Sequence, residues 1–321
     1  MNICFKLLLV CTAKRKQMCR LHLYLVSGVA LCLNMSVFAQ QPGQKTFASP
    51  EAASKALFAA ALADDQAAML VIFGPSGNEI TSTGDALEDT NTRDQFVAKY
   101  REMHHLGEEP NGSVTIYIGG EDWPFPVPLV NSNGAWHFDT EAGEKEILYR
   151  RIGENEFAAM NVCHALVDAE KEYYRQPWEG NVQQYAQVLV SDENQHNGLF
   201  WKASDGEPES PIGPLLAYAA GPVDGHPQGY ESSPFHGYYY RILTGQGEAS
   251  PGGVKSYIVN GKMIGGFAVI AYPAEYRSSG VMTFIVNQSG VIYQKDLGDE
   301  TGETASAMIA YAPDKTWEKA E

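Results

Sequence analysis

The chain has 321 residues, 39 acidic and 23 basic, for a formal charge of −16. Lys6, Lys14, Arg15, Lys16 and Arg20 are the charged residues of the first 39 positions, so the rest carries 39 acids against 18 bases, a charge of −21. That balance argues against broad binding to nucleic acid or anionic lipid, which depends on Lys and Arg neutralising phosphate, and 44% hydrophobic and 11% aromatic residues argue against a disordered chain.

Lys14, Arg15, Lys16 and Arg20 precede an apolar run from Leu21 to Leu33, and Val37-Phe38-Ala39 makes a small–x–small pattern before Gln40. These are the parts of a secretory signal peptide over residues 1–39. The run is shorter than the roughly 20 apolar residues of a spanning helix and contains His22, so no stable membrane span is expected after cleavage. A start at Met18 would leave a more compact leader. Leu31 directly before Cys32 argues against lipidation, which uses a small residue there. Cys4, Cys11, Cys19 and Cys32 fall in the leader and leave Cys163 alone, so no intramolecular disulfide is expected. Cys163 sits in an apolar helical stretch and reads as a buried small hydrophobe. The expected location is periplasmic or secreted.

Residues 40–48 read as a linker, 49–143 as an N-terminal α+β domain and 144–321 as a C-terminal α+β domain. Ser49-Pro50-Glu51 opens a helix, with Ser as N-cap, Pro at the first position and Glu in the first turn. Asp64-Asp65 begins a second helix that Gly74-Pro75 stops. Thr90 to His105 is a third helical pattern. Period-two texture follows at Val114 to Ile118, and Val127 to Phe138 forms a hairpin across Asn131-Ser132-Asn133-Gly134. The alternating prolines of Trp123-Pro124-Phe125-Pro126-Val127-Pro128 cannot pair as a central strand and predict an extended edge or polyproline segment.

Glu144 to Arg151 is predicted helical with a break near Gly153, and Asn155 to Arg175 as the longest helix. Tyr185 to Val190 is an ordered element of undefined type. A Pro/Gly-rich loop spans residues 206–236, the length of a binding loop, lid or linker. Strands are expected at Tyr238 to Leu243, Tyr257 to Ile264 around an Asn260-Gly261 turn, Phe267 to Ala271, Val281 to Val286 and Val291 to Tyr293. A helix from Glu303 to Ala310 follows.

The order of helices, then strands ending in Gly134-Ala135-Trp136-His137-Phe138, resembles the cone of nuclear-transport-factor-two-like folds. Thr46 to Glu51, Asp122-Trp123-Pro124-Phe125-Pro126, Phe235-His236-Gly237-Tyr238-Tyr239, Gly265-Gly266-Phe267-Ala268 and Val281 to Asn287 together resemble a bacterial exported family catalogued as domain of unknown function twenty-nine-fifty. That resemblance spans essentially the whole mature chain, implies an envelope protein and brings no activity. Residues 155–296 are also similar in order to type IV pilin-like and pseudopilin heads. The apolar assembly helix of those proteins is contiguous with the head, and here the comparable stretch lies far away, at residue 21.

There is no P-loop, His-Glu-x-x-His, Cys-x-x-Cys or Gly-x-Ser-x-Gly motif. His104-His105 lie beside Glu102, Glu108 and Glu109, but adjacent helical histidines diverge, so no shared metal is expected there; the binding-module reading below needs no cofactor. His236 precedes an aromatic strand. With Tyr238, Tyr240, Arg241, Glu275 and Tyr276 it either lines a cleft or is a structural histidine at a strand entry. Trp123 and Phe125, in the proline run, either form a contact surface or anchor the loop in their own core. The expected function is a non-enzymatic binding or assembly module for an envelope protein, peptide or small ligand, with its site in a cleft near residues 120–128 and 206–241. The alternative is a periplasmic hydrolase that uses His236 with Glu275 or Asp224.

Overall fold

The computed structural model describes residues 40–82, 86–178, 182–204, 206–221 and 232–320. The expected leader, part of the Pro/Gly-rich loop and Asp224 lie outside the described residues. The chain is mixed α+β and divides into two compact units, one ending at Arg151 and the other covering Ile152–Glu321. No helix among the described residues is long and apolar enough to cross a membrane.

The first unit opens with α1 (Pro50–Leu62), whose free N-terminal amides meet the Ser49 hydroxyl: Ala52 N–H donates to it at 3.2 Å. Asp65 does the same for α2 (Gln66–Phe73), accepting from Ala68 N–H at 2.9 Å. The one-turn α3 (Asn78–Thr81) and then α4 (Ala86–Glu102) follow. The strands are β1 (His104–Glu108), β2 (Val114–Ile118), β3 (Trp123–Pro124), β4 (Leu129–Ser132) and β5 (Ala135–Phe138). They form one antiparallel sheet in the order β1-β2-β4-β5, and β3 pairs with the end of β2 through Ile118 and Trp123. Alternation on β2 sends Val114, Ile116 and Ile118 into the core and leaves Thr115 and Tyr117 on the other face. Phe73, Phe96, Phe125 and Phe138 meet in that core, with centroids 5.2–6.4 Å apart along their contacts.

His104 and His105 do not end a helix, as their sequence context suggests. The α4 helix stops at Glu102, where Gly119 N–H, at positive φ, donates to the carbonyls of Lys99 and Met103. The chain then turns straight into β1, with His104 opposite Ile118.

The predicted break near Gly153 is also absent, because α5 runs unbroken over Thr140–Tyr174. A single helical glycine costs about 1 kcal/mol against Ala. The helix meets that cost with i,i+4 pairs at Glu141–Lys145 and Glu146–Arg150 and a long apolar face beyond Gly153 that buries Ala159, Cys163, Leu166 and Tyr173.

In the second unit β6 (Val188–Val190) and β7 (Gly198–Phe200) pair in parallel. Helix α6 (Pro214–Ala217) lies inside the segment read from sequence as irregular, and Tyr240 N–H donates to Ala219 just after it. Next come β8 (Tyr238–Leu243), β9 (Gly245–Gln246), β10 (Lys255–Ser256), β11 (Ile258–Val259), β12 (Lys262–Met263), β13 (Ala268–Pro273), β14 (Met282–Asn287) and β15 (Ile292–Asp296). Helix α7 (Thr301–Ala307), β16 (Ala310–Tyr311) and β17 (Glu318–Lys319) close the chain. The main sheet is β17-β15-β14-β13-β8, antiparallel throughout. Asn260 and Gly261 both have positive φ between β11 and β12, as a type I′ turn needs.

Helix α5 buries one carboxyl completely. Glu170 Oε2 accepts from Ala186 N–H at 2.9 Å, while Oε1 is buried without a partner. Burial holds this carboxyl well above the ordinary carboxylate range. A raised acid pKa stabilises the fold fully below about pH 4.5, and that contribution is lost as pH rises through the folded-state value. Thermal unfolding of wild type and Glu170→Gln, followed from pH 4 to 9, is expected to show the variant gaining on the wild type as pH rises. Equal pH slopes would contradict a strained buried carboxyl.

Candidate functional site

A cavity of about 320 Å³ opens in the first unit, on the side of β2 away from the core. Its polar lining is Glu109, Thr115, Tyr117, Glu146 and Arg150, and its apolar wall is Pro124, Phe125, Pro126 and Pro128, with Ala142 at one edge.

The β2 alternation places Thr115 and Tyr117 on this side. Tyr117 stacks on His105 across the β1–β2 pair, with centroids 5.0 Å apart and planes 9° apart. Gly107 leaves room for the ring, because a Cβ there would come 2.7 Å from Tyr117 Cε2. The Tyr117 hydroxyl donates to Glu109 Oε1 at 3.0 Å. Burial, then the Glu109 carboxylate, push the phenol up from its usual range, so it stays a hydrogen-bond donor. Glu109 is presented by a turn closed by Gly112 N–H donating to its carbonyl, with Gly112 at positive φ.

The proline run is held by different means at each residue. Phe125 N–H donates to Ile116 O at 2.7 Å, and its ring enters the core. Pro128 O accepts from Asp139 N–H at 2.8 Å. Pro124 O accepts from Arg150 Nη1 at 2.9 Å. The Arg150 guanidinium lies over the Trp123 ring, 4.8 Å from its centroid, and Nε donates to Glu146 Oε1 at 2.7 Å. Helix α5 approaches the run closely because Gly143 has no side chain: a Cβ there would lie 2.6 Å from Val127 Cγ2.

Trp123 and Phe125 therefore anchor the loop inside their own unit: Trp123 is 7% exposed and Phe125 2%. Phe125 still contributes an edge to the cavity. The other site residues expected from sequence sit in the second unit and serve the sheet. Tyr238 and Tyr240 are fully buried on β8 and donate to the carbonyls of Met282 and Phe235. Burial pushes both phenols up. Arg241 is buried and donates to the carbonyls of Ala305, Ser306 and Met308 at the C-terminal end of α7, where carbonyls lack helical partners and the dipole favours a cation.

His236 is exposed in the turn Phe235–Tyr238, where His236 and Gly237 both take positive φ. Glu275 is also exposed, and its N–H donates to Ser279 Oγ at 2.9 Å. Ala274 N–H donates to Gly237 O, which brings the two turns together, but no hydrogen bond or ion pair joins His236 to Glu275. Tyr276 donates to Asp296 instead. The Cys163 thiol is buried, and burial pushes its pKa up to about 12, the environment of a packing group rather than a nucleophile. Among the described residues no group of three or more His, Cys, Asp or Glu is arranged to hold a metal.

Sequence reasoning missed Glu109, Thr115, Tyr117, Glu146 and Arg150. Two signals pointed to four of them, the polar phase of the β2 alternation and the i,i+4 Glu146–Arg150 spacing on a helix that follows the proline run; Glu109, in the turn between β1 and β2, had none.

One protein family, described as protein of unknown function (DUF2950), matches residues 44–320. The chain belongs to that family. No curated protein and no solved structure matches it. The likenesses to a cone-shaped fold and to a pilin head rest on element order in the sequence alone. The DUF2950 match includes the whole cavity lining.

Arg150 joins the proline run, Trp123 and α5. Replacing it with Met keeps the stem and removes a carbonyl hydrogen bond, a partly exposed ion pair and a cation–π contact, a loss of about 2 kcal/mol. Arg150→Met is expected to lower the midpoint of denaturant unfolding accordingly, with Arg150→Lys in between. A midpoint unchanged in Arg150→Met would show that the run is held without it.

Proposed function

We propose that this protein is an exported bacterial envelope protein that binds a peptide or small ligand, and that the cavity of the first unit holds it. The observation that carries the reading is the cavity itself. It has an apolar wall of proline and phenylalanine, and a few polar groups held by internal hydrogen bonds converge on it. Pockets that recognise ligands combine an apolar lining with a few fixed polar groups, usually in volumes of about 300–1,000 Å³. This cavity, at about 320 Å³, lies at the small end of that range.

Export is supported by the basic, apolar and small-residue order of the first 39 positions. The reading calls on no cofactor. Binding is supported by the rigidity of the wall: Phe125 is packed among aromatic rings and Pro124 is fixed by Arg150, so the site pays little ordering entropy when a ligand enters.

Native mass spectrometry of the protein released from the periplasm of its host tests both parts. The expected mass starts at Gln40 and carries a small adduct that Thr115→Trp, which fills the cavity, removes. An adduct retained by Thr115→Trp, or an uncleaved chain in the cytosol, would contradict the reading.

A further inference from the structure

We infer that the occupant of this cavity carries a positive charge on a short apolar stem. The group is an ammonium or guanidinium, either on a free amine or presented by a basic side chain of a peptide. The inference rests on the reading of the cavity as a ligand site and specifies what the site selects.

Two carboxylates, Glu109 and Glu146, and one cation, Arg150, line the cavity, and Lys145 lies on the same helix as Arg150. Both bases are already paired one helical turn away, Lys145 with Glu141 and Arg150 with Glu146, each at 2.7 Å. The cation that lines the cavity is thus neutralised by its own helix, and one of its faces is covered by Trp123. An anionic ligand gains little from it.

Glu109 has the opposite situation. Its contact among the described residues is the Tyr117 hydroxyl on Oε1, and no Lys or Arg pairs with it. The Tyr117 hydroxyl spends its proton on this carboxylate and keeps acceptor lone pairs. The two side chains therefore present acceptors toward a donor. Asp122, 3.6 Å from His105 Nδ1 beside the same ring, adds to the negative field, and Tyr117 responds to burial and to both carboxylates by holding its proton. An incoming ammonium or guanidinium can donate charge-assisted hydrogen bonds to this carboxylate.

The rest of the cavity suits the stem of such a group. Pro124, Phe125, Pro126 and Pro128 offer apolar surface, and three of their backbone groups are engaged elsewhere: Phe125 N–H with Ile116, the Pro124 and Pro128 carbonyls with Arg150 and Asp139. Basic side chains bury methylene stems on such surfaces while the head finds polar partners.

Titration calorimetry of the purified protein tests this with four probes: cadaverine, and the amidated, acetylated tripeptides Ala-Lys-Ala, Ala-norleucine-Ala and Ala-Glu-Ala. The lysine peptide is expected to bind about tenfold or more tightly than the norleucine peptide, the same stem without the charge, and far more tightly than the glutamate peptide. Added salt is expected to weaken it. Glu109→Gln, whose side-chain carbonyl still accepts from Tyr117, is expected to remove most of that preference. Cadaverine binding as well as the lysine peptide assigns a free amine; binding of the peptide alone assigns a peptide side chain.

Equal binding of the lysine and norleucine peptides, or a lysine preference intact in Glu109→Gln, overturns the inference. Amide spectra taken in parallel separate the two levels. Norleucine-peptide shifts at Tyr117 and Phe125 without a lysine preference keep the ligand site and reject the cation. Silence of those amides to every probe rejects both.

Discussion

A run of alternating prolines offers a sheet few backbone donors, and the first unit depends on how that run is fixed. Pro124, Pro126 and Pro128 have no N–H to donate. The run is held instead by what surrounds it. Phe125 is the donor to β2 and the plug in the aromatic core, Pro128 accepts from the residue that caps α5, and Pro124 accepts from Arg150. Arg150 reaches it because α5 packs against Val127 at Gly143, where no Cβ intervenes. The result is a stiff extended wall beside the polar face of β2, and the space between them is the cavity.

The second unit uses its polar groups for self-assembly. Arg241 terminates α7 and fixes it by way of β8. Glu156 accepts from Val281 N–H and Met282 N–H, and Asn155 donates to Ser279 O, which ties the middle of α5 to the start of β14. Tyr238 adds a further bond to Met282 O. Polar side chains placed in a core are worth keeping when every bond they make specifies one register. Glu170 departs from this pattern, with one oxygen bonded and the other unpartnered, and it makes this unit sensitive to rising pH.

Local features were legible from sequence. The Ser49 cap, the Asn260-Gly261 turn and the strand at Tyr238 to Leu243 depend on neighbours in the chain, and all three are present as read. The end of α4 and the continuity of α5 were not, because the carbonyls capped by Gly119 and the burial of the α5 face beyond Gly153 become visible only once the elements meet. The site was hardest. Glu109, Tyr117 and Arg150 come from a turn, a strand and a helix, and no spacing in the sequence joins them. Conversely, Phe235-His236-Gly237-Tyr238 has the composition of a reactive motif but is a tight turn into a buried strand, where His236 supplies backbone geometry. The two openings left for Trp123 resolve toward anchoring, while its proline neighbours line the cavity.

The central claim is that Arg150 holds the proline run as a preformed wall. Hydrogen exchange across residues 123–130, compared between wild type and Arg150→Met, tests it most directly. The account predicts slow exchange at Phe125, whose N–H bonds to Ile116, in the wild type and clearly faster exchange there in the variant, with β2 little changed. Equal protection of that segment in both proteins would contradict it.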